Sequence, residues 1–277
     1  MKNCHLAWAI VMMLSMTSGG VWCDEKSAVA ALEKYVFGFT RDESQPGKPV
    51  IDVRISGCFL DDELLRELPA LKQLKSLTII TPGENVDAAL KGLNDMKKLQ
   101  MLNLRGCDLT DFSVNQISMV TGLRTLDIRL TTMTDARLKQ LGSLKQLQKL
   151  YVNNESVTDS GMKEITRLKQ LQTLDLRGTS VGNIGLKELA KLRGLQYLEL
   201  CQTKVTDEGL KDLAALTELQ RLGLNSTAVT DAGLKHLVPL KNLQLLNLCD
   251  TKVTVTGVAA LKKASPACQI SHGALVQ

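Results

Sequence analysis

The sequence predicts an α/β solenoid, a curved right-handed array with a parallel concave sheet and short convex helices. Three observations predict it. A 24-residue phrase recurs nine times between about residue 50 and the end of the 277-residue chain. Each copy opens with apolar residues at period 2, as in a strand, and closes with apolar residues three apart, as in a helix. One such unit cannot bury its own leucines, so neighbouring copies must stack with their strands in parallel.

The chain begins with an expected targeting segment. After Met1 and Lys2, the stretch from Leu6 to Met16 is apolar for eleven residues, which is too short to span about 30 Å of hydrocarbon. Small residues, among them Ser18 and Gly20, follow it. We predict that residues 1–20 are a signal peptide cleaved after Gly20, with an uncleaved membrane anchor as the alternative. The expected location is therefore exported: periplasmic, cell-surface or extracellular, with no transmembrane span after cleavage.

Residues 21–49 are predicted to form an N-terminal capping helix and a linker. The stretch from Asp24 to Phe37 is amphipathic and is expected to cover the first repeat. The linker, from Arg41 to Pro49, carries Pro, Gly and charged residues. Residues 50–277 then form the repeat domain, with about nine repeats and a C-terminal cap.

Within each copy, the spacing of the apolar residues predicts where the strand and the helix lie. Leu198 and Leu200 belong to a short strand, and Leu210 and Leu213 belong to the helix that follows. Between strand and helix stands "VTD", where Thr206 or Asp207 can cap the helix. Strand leucines from successive copies should form one inward row: Leu174, Leu198, Leu222 and Leu246. The copies start at Val50, Leu74, Leu99, Leu123, Leu147, Leu171, Leu195, Leu219 and Leu243.

With the common phrase LxxLxLxxTxVTDxGLKxLxxLxx, the chain resembles the leucine-rich-repeat proteins. The resemblance is to the 24-residue VTDxGL kind found in bacterial secreted proteins, which is similar to cysteine-containing and ribonuclease-inhibitor-like repeats. It covers about four fifths of the chain. The first copy departs from the phrase, as does the final stretch "PACQISHGALVQ". Departures at both ends are expected where a solenoid must be capped.

Little in the sequence indicates catalysis or a cofactor. The three histidines are His5, His236 and His272, and the sequence shows no zinc-spaced cysteine pair, phosphate-binding glycine loop or HExxH motif. We therefore predict a protein that is not an enzyme and uses no cofactor or metal. Asp207 recurs in other copies as a row that could suggest calcium, although a helix-cap role explains it: Asp111, Asp135, Asp159 and Asp231. A net charge of +5, from 34 basic and 29 acidic residues, is too balanced for nucleic-acid binding.

The cysteines are predicted to be mostly free thiols. Cys58 and Cys107 occupy the same repeat position two copies apart, and so do Cys201 and Cys249. Two strand spacings are about 10 Å, beyond the roughly 7 Å between Cα atoms that a disulfide tolerates. A bridge between Cys23 and Cys58 remains open.

The third, fifth and seventh positions of each copy should face away from the helices. These residues vary from copy to copy, as in a surface fitted to an irregular partner, although free drift of solvated residues would look the same. Tyr and Arg dominate interface energies, and both occur there. The pairs Arg129–Asp127 and Arg177–Asp175 could also be surface ion pairs of little energetic weight. The predicted binding patch comprises Arg105, Asp127, Arg129, Tyr151, Asp175, Arg177, Tyr197 and Glu199.

Two functions fit the sequence. The first is an exported, non-enzymatic recognition module that binds a protein partner through its concave sheet. The alternative is a structural cell-envelope protein that holds an anionic polymer or surface, such as a cell-envelope glycan, through a convex lysine row. That row is Lys91, Lys139, Lys163, Lys187, Lys211 and Lys235.

Overall fold

A computed structural model of the protein describes residues 25–35, 38–56, 67–81, 83 and 85–273. The predicted signal peptide, Cys23 and Cys58 lie outside the described residues. No helix in the described ranges is both long and apolar enough to cross a membrane.

The described strands form one eleven-stranded sheet in which the spatial order equals the chain order. Strands β2 to β11 pair in parallel, and β1 pairs antiparallel with β2. The strands are β1 Gly38–Arg41, β2 Val50–Ser56, β3 Ser76–Ile80, β4 Met101–Asn103, β5 Thr125–Arg129, β6 Lys149–Asn153, β7 Thr173–Asp175, β8 Tyr197–Glu199, β9 Arg221–Gly223, β10 Leu245–Asn247 and β11 Gln269–Ser271. The nine copies thus supply β2 to β10.

Helices follow most of the strands and enclose the core against the sheet. They are α1 Glu25–Tyr35, α2 Asp87–Leu90, α3 Asp111–Ser118, α4 Asp135–Gln140, α5 Asp159–Ile165, α6 Asn183–Leu189, α7 Asp207–Leu213, α8 Asp231–Leu234 and α9 Val255–Ala264. Short 3-10 turns lie at Leu68–Ala70, Leu93–Asp95, Leu141–Ser143 and Lys235–Leu237. One continuous apolar core runs between the two layers from Ala28 to Cys268. This is the predicted α/β solenoid.

The register of the sheet confirms the predicted inward row. Leu174 pairs with Leu198, Leu198 with Leu222, and Leu222 with Leu246. All four side chains are completely buried. Residues at the third, fifth and seventh positions lie on the opposite side of the sheet, which we call the concave face.

Both ends of the sheet are closed by elements outside the regular repeat. Helix α1 occupies much of the stretch predicted to be a capping helix, and its Ala28 is buried in the core. The Glu25 carboxylate accepts a hydrogen bond from the amide of Val50 at 3.0 Å, which ties α1 to the first copy. Strand β1, which was not predicted, then pairs along β2, and β11 pairs along β10. These pairings cover the free edges of the regular array.

The recurring phrase VTDxG is explained by contacts between one copy and the next. Threonine, rather than aspartate, is the N-cap residue, and its hydroxyl accepts a backbone hydrogen bond in α3, α4, α5, α8 and α9. The aspartate that follows reaches the threonine of the next copy. The carboxylate of Asp135 thus accepts hydrogen bonds from the amide of Thr158 at 2.9 Å and from its hydroxyl at 2.6 Å.

The glycine of the phrase leaves room for that carboxylate. A Cβ atom on Gly185 would come within 2.6 Å of Asp159 Oδ1, and one on Gly209 would come equally close to Asn183 Oδ1. Real Cβ atoms do not approach other atoms so closely. Glycine thus makes room for the aspartate or asparagine of the preceding copy from copy five onward, whereas in copy three Ser113 occupies the position and its hydroxyl donates to Asp87.

These hydrogen bonds from one copy to the next are interrupted at one place. Copy four carries Arg137 where later copies carry glycine, and the carboxylate of Asp111 forms an ion pair with Arg137 Nε at 2.8 Å. No hydrogen bond joins Asp111 to the N-cap Thr134 among those described for these residues. The interpretation of the row as caps of their own helices was therefore wrong in detail, since the carboxylates connect copies.

Candidate functional site

Four residues of the predicted patch form one row across the middle of the concave face. Asp127 pairs in register with Tyr151, Tyr151 with Asp175, and Asp175 with Glu199. They come from β5, β6, β7 and β8, so successive members are about 4.8 Å apart along the sheet. The strands position these side chains because every second strand residue is a buried leucine, isoleucine or valine.

Two arginines connect this row into an ionic network. Arg129 donates to both carboxylate oxygens of Asp127, from Nε at 3.0 Å and from Nη2 at 2.6 Å. Its Nη1 lies 3.7 Å from Asp175 Oδ2. Arg177 donates to the same Asp175, from Nε at 3.2 Å and from Nη2 at 2.9 Å. The network therefore spans β5 to β7 with two bidentate pairs and one longer bridge.

The network lies below the surface at its acidic end. Asp127 is 7% exposed and Asp175 is 1% exposed, so the interpretation of these contacts as surface ion pairs was wrong. A buried carboxylate is costly unless it is paired, and both are paired here. The hydrogen bonds that Arg129 donates to Asp127 raise the pKa of the Arg129 guanidinium, and those that Arg177 donates to Asp175 raise the pKa of the Arg177 guanidinium. Both arginines are consequently held in fixed positions as cations.

The two tyrosines of the patch are each half-buried against a charged neighbour. The Arg129 guanidinium carbon lies 5.1 Å from the centroid of the Tyr151 ring, within the range of a cation–π contact. The Tyr197 hydroxyl donates to Glu199 Oε2 at 3.3 Å. Burial raises the pKa of both tyrosines. Each ring therefore presents a fixed apolar surface together with a polar tip.

Glu199 ends the row in an unusual environment. Its Oε1 atom is buried and has no hydrogen-bond partner in the part of the chain that the structure describes. The side chain lies over Gly223 of the next strand, where a Cβ atom would overlap with the carboxylate. Burial raises the pKa of the Glu199 carboxyl. Glycine at position 223 is thus a residue of the site that sequence reasoning missed, although its occurrence in a row of polar residues was a signal.

Arg105 is separate from the network. It follows β4, its side chain is exposed, and its backbone amide donates to the Asn103 side chain at 3.1 Å. The structure therefore brings together seven of the eight predicted residues and leaves Arg105 at the margin.

Leu130, directly after Arg129, was also missed. Its φ angle is 58°, in the left-handed region, and it is 57% exposed. The equivalent positions with positive φ are Gly106, Gly178, Gln202, Ser226 and Asp250. A large apolar residue is out of place in such a series, which was the available signal.

The cysteines and acidic groups give no indication of a metal site. Cys107, Cys201, Cys249 and Cys268 are free thiols. The Asn225 amide lies 2.6 Å from Cys201 Sγ on the concave face. Within the described residues, no group of three or more His, Cys, Asp or Glu side chains is arranged to hold a metal ion.

Comparison with known proteins agrees with this architecture. The family described as Leucine Rich repeat matches residues 169–190. A solved leucine-rich-repeat protein of Leptospira interrogans superposes with a TM-score of 0.56 at 25% identity, covering 74% of this chain. The chain has the leucine-rich-repeat fold. It spans 50% of the length of the Leptospira protein.

A second leucine-rich-repeat neighbour is internalin C2 of Listeria monocytogenes. It superposes with a TM-score of 0.56 at 21% identity, covering 77% of this chain and 84% of the internalin. At that identity, the likeness concerns the fold alone. A search of curated protein sequences found no significant match.

Proposed function

We propose that this leucine-rich-repeat protein is an exported, non-enzymatic recognition module whose concave face binds a protein. The proposed binding patch is centred on Tyr151, Arg177 and Tyr197. Residues of these two types contribute most to known interfaces when they are packed and partly desolvated. Solenoids of stacked repeats offer an extended concave surface for such contacts.

The observation that carries the proposal is the network around Arg129. Two carboxylates, Asp127 and Asp175, and the Tyr151 ring hold the guanidinium on three sides. A side chain fixed before binding loses little conformational entropy when a partner arrives. A network that only stabilised the fold would not need to lie on the solvent side of the sheet, because the leucines already fill the core.

The convex alternative has less support. The six lysines of the row are exposed, but acidic neighbours partly neutralise that side of the molecule. Lys211 pairs with Glu208 at 2.6 Å, and Lys191 of the preceding copy pairs with Glu188 at the same distance. A convex helix normally shows long charged side chains of both signs to water. Binding of a polymer through this lysine row is therefore the alternative result that the experiment below can detect.

The test is affinity capture from cell-envelope extract with the mature chain, followed by measurement of the recovered partner's affinity. We expect Tyr197→Ala and Arg177→Ala each to weaken binding by at least about 2 kcal/mol, or some thirtyfold. Lys187→Ala, on the convex row, is the control and should bind like the wild type. Circular dichroism and thermal melting would establish that each variant remains folded.

The opposite pattern would overturn the proposal. Unchanged binding by both concave variants, together with loss of binding when several lysines of the row are neutralised, would assign the function to the convex side.

A further inference from the structure

The charged groups of the concave face are sorted by depth. Its carboxylates lie low: Asp127 and Asp175 are buried, and Asp52 and Glu199 are partly buried. Its cations lie high, and four of them are exposed: Arg54, Arg105, Lys149 and Arg221. The sequence shows charges of both signs along these strands, whereas an approaching molecule meets mainly the positive ones.

Arg177 joins the exposed cations. Its side chain is 41% exposed, compared with 1% for Asp175 beneath it. Nε and Nη2 donate to Asp175, while no hydrogen bond is described for Nη1. One edge of this guanidinium therefore remains available, and the other edge is fixed by a buried carboxylate.

The carboxylate of Glu199 does not reverse this polarity. Its Oε2 accepts the Tyr197 hydroxyl, and its Oε1 is buried over Gly223. Exposed acids do occur nearby, at Glu155 and Asp250, but both lie in the loops beyond the strands. On the strand surface between the tyrosines, the solvent-exposed charges are thus positive, and the carboxylates are buried or partly buried beneath them.

We propose that the concave face binds an acidic segment of a partner protein, with Lys149, Arg177 and Arg221 receiving its carboxylates and Tyr197 packing between them. This inference rests on the proposed function and specifies the chemistry of the partner. Opposite charges across an interface steer encounter and select the partner, and here the complement of the exposed face is negative.

The spacing of the cations fits an extended peptide that crosses the strands. Lys149, Thr173, Tyr197 and Arg221 are successive register partners. Three strand spacings of about 4.8 Å place Lys149 and Arg221 roughly 14 Å apart. An extended chain rises about 3.3 Å per residue, so acidic residues at positions i and i+4 are about 13 Å apart. One such pair could reach both cations, with the tyrosine between them.

The experiment uses a fluorescent acidic peptide of about twelve residues with alternating Glu and Ser, which spans the sheet when extended. A second peptide carries Lys in place of every Glu. Binding to the mature chain is followed by fluorescence anisotropy at about 50 mM salt, where screening is modest. The concave variant is Lys149→Gln/Arg177→Gln/Arg221→Gln. The matched convex control is Lys163→Gln/Lys187→Gln/Lys211→Gln, which removes the same charge.

We expect the wild type and the convex control to bind the acidic peptide equally, and the concave variant to bind at least tenfold more weakly. The basic peptide should not bind. Equal binding by the wild type and the concave variant would overturn the inference, and so would loss of binding in the convex control. Tighter binding of a dextran sulfate fragment through the same three residues would assign the face to a sulfated glycan instead.

Failure of this inference can be separated from failure of the proposed function. If a captured partner loses affinity in Tyr197→Ala and Arg177→Ala but binds the double variant Lys149→Gln/Arg221→Gln like the wild type, the proposed concave site is supported and the acidic partner is not. If Tyr197→Ala and the triple variant both bind that partner normally, both proposals fail.

Discussion

The carboxylate of Asp207 accepts hydrogen bonds from both the amide and the hydroxyl of Thr230, at 2.8 Å and 2.6 Å, and so joins α7 to the start of α8. We expect Asp207→Ala to lower the free energy of unfolding by about 1–3 kcal/mol, because the partly buried partners lose a charged acceptor. Urea denaturation measures the change. Asp212→Ala is the control, since no side-chain hydrogen bond is described for Asp212 on the same helix. Equal effects of the two substitutions would contradict the role of Asp207.

The glycine that accommodates this carboxylate gives a second prediction. In an ordinary helix, Gly→Ala stabilises by up to about 1 kcal/mol. At Gly233, a Cβ atom would overlap with Asp207 and lie 2.9 Å from Leu210 Cδ1. We therefore expect Gly233→Ala to destabilise the protein by about 1–3 kcal/mol. At Gly194, nothing lies within 4 Å of an added Cβ, so Gly194→Ala should be nearly neutral.

The double variant Asp207→Ala/Gly233→Ala tests whether the two residues act as a pair. Once the carboxylate is absent, the added methyl group should cost less than it does alone, which gives a measurable coupling energy. Strict additivity would show that the glycine has another role.

Leu130 should be replaceable with a gain in stability. A left-handed conformation costs a bulky residue about 1 kcal/mol or more, and this side chain is 57% exposed, so little burial is lost. We expect Leu130→Gly to raise the free energy of unfolding by about 0.5 kcal/mol after the greater freedom of glycine in the unfolded chain is included. Met101→Gly, at 44% exposure in β4, should destabilise. A lower melting temperature for Leu130→Gly would show that Leu130 makes a stabilising contact.

The Glu199 carboxyl predicts a pH dependence. Burial raises its pKa in the folded protein above the ordinary value of 4.5. At pH values between the unfolded and folded pKa, the carboxyl is therefore protonated in the folded state and ionised in the unfolded state. The contribution of Glu199 to stability is therefore most favourable below about pH 4.5 and declines as the pH rises through the folded pKa. Glu199→Gln should remove this loss of stability with rising pH, because glutamine does not ionise. Denaturation curves between about pH 4 and pH 8 would then diverge between wild type and variant, with the variant gaining relative stability at the higher pH.

A control separates this effect from a general change in charge. Glu218→Gln alters an exposed carboxylate and should follow the wild-type profile. Parallel curves for wild type and Glu199→Gln would rule out the assigned environment of the carboxyl.

The free thiols can be counted. Cys107, Cys201 and Cys268 are buried, and burial raises their pKa values, which reduces the reactive thiolate fraction. We expect these thiols to react slowly in the native protein. At least four thiols should be alkylated after denaturation without reductant. Two or more intramolecular bridges in a mass map would contradict this count.

The leucine rows could be predicted because the same letters recur at a fixed spacing, which fixes both the period and the register. Strand β1 could not be predicted, because its four residues belong to no repeat. They pair antiparallel with β2 after the chain reverses direction, and no repeated letter indicates that pairing. The role of Asp207 was missed for a related reason. Capping rules describe contacts within one helix, whereas this carboxylate acts on the next one.

The members of the candidate site were predictable from period 2, but their depth was not. Asp127 and Tyr151 share a repeat position, yet Asp127 is buried because the guanidinium of Arg129 covers it. Similarly, Glu199 can lie flat only because its neighbour in the next strand is Gly223. The burial of each side chain depends on which neighbouring side chain covers it, and the residue pattern of a single strand does not contain that information.

The contact between the aspartate of one copy and the threonine and glycine of the next has a consequence for how such a gene can grow. A duplication or deletion of one whole 24-residue unit recreates the same contact at the new junction, so it requires no compensating change. The junction of Asp111 with Arg137 is different. A unit inserted there would place Asp111 beside the glycine of the new unit and the aspartate of the new unit beside Arg137, so each aspartate still meets a partner in the following copy. Recombination in whole units is therefore tolerated along the array, this junction included.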